Sequence, residues 1–160
     1  MKQNILMFAL VFLLSISICM AQSAGVAEEK LTIKQAEPEY GNLTLLLWAQ
    51  LGEDLNYSSW VLDQYVRKNI TTTEALQSMT SVYTLTSRTQ INFYQLQPPE
   101  NYQQYHNYSI NAIDNFRLYV WYISKFLETG NSNYALIARD KFNLSNEYMD
   151  KANEERVLNL

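Results

Sequence analysis

The chain is poor in residues that staple, coordinate or punctuate. Its 160 residues hold one cysteine, one histidine, four glycines and three prolines. A single cysteine excludes an internal disulfide. A single histidine, His106, excludes the multi-donor sets that zinc requires and the paired Glu-x-x-His motifs of carboxylate-bridged di-iron bundles. A c-type haem needs a Cys-x-x-Cys-His run, which is absent. The nucleophile elbow, phosphate-binding loop and dinucleotide fingerprint each need a glycine pattern that is missing here. No catalytic set, no metal and no cofactor is therefore predicted. No block of five like charges occurs, and acids outnumber bases, sixteen to twelve. Nucleic acid and anionic membranes attract clustered Lys and Arg, so both are poor partners.

The one long apolar run is short and terminal. Lys2 precedes Ile5–Met20, which only Ser15 and Ser17 interrupt, and small residues follow from Ala21 to Ala27. That order predicts a secretory signal peptide over residues 1–21, cleaved after Ala21. A spanning helix needs about 20 apolar residues, so no transmembrane segment is expected in the processed chain. Lipid-modification signals place a small residue before the cysteine. Here Ile18 precedes Cys19, so Cys19 is assigned to the discarded leader. The processed chain then has no cysteine and depends on its core. Removal of Lys2 leaves eleven bases against sixteen acids.

What is present favours helices. Residues 22–38 are small, polar and charged, and are predicted to form a disordered tether. Three breaks divide the remainder. Thr71 with Glu74 makes a capping-box pattern. Pro98-Pro99 ends one helix and opens the next. Gly130 suits a left-handed C-cap, with Asn131 or Ser132 capping the next helix. Helices are expected over about 40–68, 72–97, 99–129 and 132–158. Gly52 is a potential break within the first. The apolar spacing of three and four residues supports each segment. On the third segment the stripe runs Tyr102, Tyr105, Ser109, Ala112, Phe116, Tyr119, Ile123, Phe126. On the fourth, Tyr134, Ile137, Leu144, Tyr148 and Ala152 are assigned to one face. Short connections force antiparallel neighbours, so the predicted fold is an all-α, up-down-up-down four-helix bundle.

Several polar residues invite a functional reading. Thr86 and Gln90, Ser109, and Lys141 with Ser145 fall on the apolar stripes of the second, third and fourth helices. Buried polar groups need hydrogen bonds or water. They either line a small ligand cavity together with His106 or sit at the rims of the stripes. His106 is read first as a structural imidazole, bonded inside an aromatic layer at the Pro98-Pro99 end of the bundle. Glu53 and Asp54 are read as a solvated surface pair. Five N-x-S/T sequons occur, at Asn42, Asn56, Asn69, Asn107 and Asn143, where composition alone predicts about two. They are glycosylation sites if the host modifies exported asparagines. At least two of Trp48, Trp60 and Trp121 are expected in the core. The twelve tyrosines combine apolar area with a polar tip, as contact surfaces do. The sequence thus points to an exported, non-enzymatic interaction protein with an unidentified protein or envelope partner. The alternative is a small-ligand-binding or sensory bundle with a polar cavity between helices.

Overall fold

The computed structural model describes residues 37–158. The predicted leader, 1–21, and residues 22–36 of the predicted tether lie outside the described residues. Helix α1 spans Glu37–Val66, α2 Thr72–Gln95, α3 Gln103–Thr129 and α4 Ser132–Leu158, with a 3-10 turn, Glu100–Tyr102, ahead of α3. These form an all-α four-helix bundle, and no strand occurs among the described residues. Contacts fix the antiparallel order. Tyr40 at the start of α1 meets Tyr105 at the start of α3. Trp48 of α1 meets Phe93 near the end of α2. Tyr122 late in α3 stacks on Tyr134 at the start of α4.

The helix boundaries follow from local chemistry. α1 begins three residues earlier than predicted, so Glu37 and Pro38 belong to it and not to the tether. A proline in the first helical turn lacks only an N–H that would have no partner there. α1 continues unbroken through Gly52 and ends at Val66, not 68. Lys68 turns left-handed at φ 61°, and its N–H donates to the Tyr65 carbonyl at 3.0 Å. The predicted capping box opens α2. The Thr71 hydroxyl accepts from the Glu74 N–H, and the Glu74 carboxylate accepts from the Thr71 N–H at 2.7 Å. α2 stops at Gln95, two residues early: Leu96 is already extended, its N–H donating to the Phe93 carbonyl, ahead of the Pro98-Pro99 break. Beyond the prolines, a tighter 3-10 turn precedes α3, which begins at Gln103 and not at 99. Gly130 caps α3 at φ 69°, its N–H donating to the Phe126 carbonyl. Asn131 caps α4 by accepting from the Asn133 N–H at 3.0 Å.

The core runs the length of the bundle. α1 buries Tyr40, Thr44, Leu51, Asp54, Ser58 and Val61, with half-buried Leu47 completing a strict alternation of four and three. α2 buries Ala75, Met79, Val82, Thr86, Thr89 and Phe93 on the same spacing. α3 lies between α2 and α4 and carries the widest buried stripe, Tyr105 to Leu127. On α4 Ser145 and Ala152 are buried as expected, but the rest of the predicted face is not. Ile137 and Leu144 are exposed, while Ala138, Ser145 and Ala152, seven residues apart, are buried. Small side chains let α4 sit close enough on α3 for the Ser145 hydroxyl to donate to the Ala112 carbonyl at 2.9 Å. Bulky Ile or Leu on that line would hold the helices apart.

Candidate functional site

His106 is brought into place by the Pro98-Pro99 break. The break reverses the chain, and the 3-10 turn then sets Tyr102, Tyr105 and His106 against α1. Buried Tyr40, 66 residues away in sequence, bonds the His106 Nδ1 at 2.9 Å. Burial pushes the imidazole below its ordinary value and the Tyr40 phenol well above its own. Tyr40 therefore keeps its proton and the imidazole is favoured neutral, and which of the two donates follows the imidazole tautomer. Tyr40 also packs on Tyr102 at 5.4 Å between centroids, and Phe93 on His106 at 6.4 Å. This is the aromatic end-layer expected from the sequence, with Tyr40 as a member that the sequence alone did not mark.

Ser109 lies one turn from His106 on α3, and the other candidate residues find their partners elsewhere. Thr86 donates to Asp54 at 3.1 Å in the α1–α2 seam. Gln90 donates to Asp114, which also accepts from the Tyr94 hydroxyl, in the α2–α3 seam. Ser109 bonds the Tyr105 carbonyl of its own helix at 2.9 Å. Lys141 reaches Asn115 at 3.5 Å in the α3–α4 seam. Thr86, Gln90 and Lys141 thus have partners in three different seams, and Ser109 has one within its own helix. Among the described residues, no three His, Cys, Asp or Glu side chains come together as a metal set.

Asp54 overturns one expectation. Glu53 faces solvent, but Asp54 is 3% exposed. Its carboxylate accepts from Gln50 at 3.0 Å and from Thr86. Burial raises its pKa, and the two hydrogen bonds only partly counter this. The signal was present: Asp54 occupies the fourth-and-third line that runs from Tyr40 to Val61. The dense apolar run Leu43–Trp48 obscured that line.

The tryptophans overturn another. Only Trp48 packs against the core; Trp60 is 52% and Trp121 39% exposed. Each directly neighbours a buried valine, Val61 or Val120, and adjacent helical residues point about 100° apart. Trp60 stacks on Tyr57 with centroids 5.8 Å apart, and the Tyr57 hydroxyl donates to Ser78 of α2 at 3.3 Å. On the other side of α2, Trp121 borders a groove of about 310 Å³ formed with Leu76, Thr80, Tyr83 and Lys125. Both tryptophans thus flank α2 toward the end of the bundle where that helix begins.

All five sequon asparagines are exposed. The hydroxyls of Thr44, Ser58, Ser109 and Ser145, which complete four of the sequons, are buried. Positions two apart on a helix lie about 200° apart, so an amphipathic helix places Asn outside and Ser or Thr inside. No helix among the described residues is long and apolar enough to cross a membrane. No family model, no curated protein and no solved structure matches the chain.

Proposed function

We propose that the chain is an exported, non-enzymatic helical interaction protein of the cell envelope or extracellular space, acting through an aromatic surface around the start of α2. The observation that carries the reading is the exposure of Trp60 and Trp121. An aromatic side chain in water forgoes the burial of about 150–250 Å² that it offers in a core or interface, and tryptophans are over-represented among the residues that dominate binding energy. The stacked Tyr57–Trp60 pair is also held in place by Ser78, so little side-chain freedom would be lost on contact. Export is supported by the leader-like pattern of residues 1–21. The alternative, a small-ligand bundle with an internal polar cavity, has less support because its nominated residues bond in separate seams.

Site-specific photo-cross-linking in the native cell tests this reading. A photoreactive residue at position 60 or 121 is expected to give discrete adducts, while one at Asp140, on the exposed face of α4, is not. Equal labelling at all three positions, or none at 60 and 121, would sink it.

A further inference from the structure

The geometry points to the α2–α3 groove as a binding site for a neutral glycan, with one or two sugar rings seated against Trp121. This rests on the reading of the aromatic surface as a contact surface and names the chemistry of the partner. The volume, about 310 Å³, is at the small end of the range for ligand sites, which suits a ring or two and not a folded partner. The walls mix apolar and polar groups. Leu76, Tyr83 and Trp121 supply apolar surface, and hydroxyls and charges lie among them.

The polar groups favour an uncharged ligand. The Lys125 ammonium and the Glu128 carboxylate form an ion pair at 2.7 Å at the edge of the groove. An anionic ligand would have to displace Glu128, and a cationic one Lys125. Thr80 and Ser124 donate to the Leu76 and Val120 carbonyls of their own helices, which leaves their oxygens free to accept. The Tyr83 hydroxyl accepts from Arg117 Nη1 at 2.7 Å, which leaves its own proton free to donate. Donors and acceptors therefore alternate around aromatic surface. A pyranose has the matching arrangement, with C–H faces for the rings and an edge of hydroxyls that both donate and accept. A purely apolar ligand would leave these polar groups desolvated without partners.

The sequons also lie off the walls of the groove. Asn42 and Asn56 lie on α1, Asn69 ahead of α2, Asn107 at the start of α3 and Asn143 on α4. None lies on α2 or in the second half of α3, the two walls of the groove, and only Asn69, ahead of α2, is at the same end of the bundle.

The test is a panel of neutral and acidic oligosaccharides presented to the processed chain, followed by calorimetry with the best neutral binder. Wild type is expected to bind neutral members more tightly than about 1 mM. Trp121→Ala is expected to weaken binding about tenfold or more, and Thr80→Val, which leaves the fold untouched, several-fold. Asp140→Asn, on the exposed face of α4, is expected to bind as wild type does. Circular dichroism of each variant separates loss of fold from loss of site, and Trp121→Phe, which keeps a ring, is expected to retain part of the affinity. No binding to any neutral glycan, a preference for acidic ones, or full binding by a folded Trp121→Ala would each overturn the proposal. Cross-links from position 121 to a protein, with no glycan bound, would overturn it while leaving the contact-surface reading intact. Loss of both results removes both readings.

Discussion

Two buried titratable groups act on stability in opposite directions. The pKa of His106 is lowered by burial, so below its ordinary value, near 6.5, the unfolded chain binds the proton more readily than the folded one. Its contribution to stability is complete above that value and is lost as pH falls toward the folded value. Asp54 has its pKa raised by burial. Its ionised form is the costly one in the fold, so the penalty is present at neutral pH and fades as pH falls through the raised value. His106→Gln is expected to cost on the order of 1 kcal/mol at pH 7, the net worth of a typical hydrogen bond. Because glutamine does not titrate, the variant is expected to lose less stability than wild type between pH 7 and 5. Thermal melts at the two values check this; equal losses would show that the imidazole titrates alike in the folded and unfolded chain, with no lowering by burial. Asp54→Asn is expected to melt at or above the wild-type temperature at pH 7, since an amide can bond Gln50 and Thr86 without carrying a charge. A large destabilisation at pH 7 would mean that the charge itself holds α1 to α2.

At the scale of the helix, much of the punctuation was legible in the sequence because each stop has a local cause. The capping box at Thr71, the proline break and the glycine cap at 130 depend only on near neighbours. The α4 face was legible only in part: Ser145 and Ala152 were placed on it, but so were Ile137 and Leu144, and Ala138 was not, since the face is chosen by how closely α3 approaches. Ala138, Ser145 and Ala152 win over Ile137 and Leu144 because they are small, and hydropathy alone ranks them the other way. Gly52 is a third kind of case. Sequence marks it as a weak point, yet α1 runs straight through it, stabilised by packing on both sides. A Cβ at this position meets nothing within 4 Å, and a small apolar space of about 80 Å³ lies beside it, between Trp48, Phe116 and Met149. Gly52→Ala is therefore expected to raise stability by about 0.5–1 kcal/mol, through helix propensity with no steric penalty. Denaturant melts read this directly, and an unchanged or lower midpoint would indicate that the glycine is needed for close approach.

For the molecule as a whole, topology was legible because loop length dictates it: connections this short permit only antiparallel neighbours. The candidate site was legible in part. His106 and its aromatic layer could be placed, because the proline break fixes which helix ends meet. The exposure of Trp60 and Trp121 could not, because a tryptophan beside a buried valine gives the same local pattern whether it turns inward or outward. The burial of Asp54 could have been read from its place on the α1 line, but not its partner Thr86, which arrives from another helix.

The opposed placement of asparagine and hydroxyl has a consequence in time. An N-x-S/T signal is read as a unit, and in four of the five sequons folding removes the hydroxyl from reach while leaving the asparagine outside. In a host that glycosylates exported chains, those four sites can be used only before α1, α3 and α4 have docked. Asn69 differs, because its partner Thr71 stays at the surface. Occupancy at the four sites relative to Asn69 would therefore act as a clock there, recording how long each new chain waits before its helices close on one another.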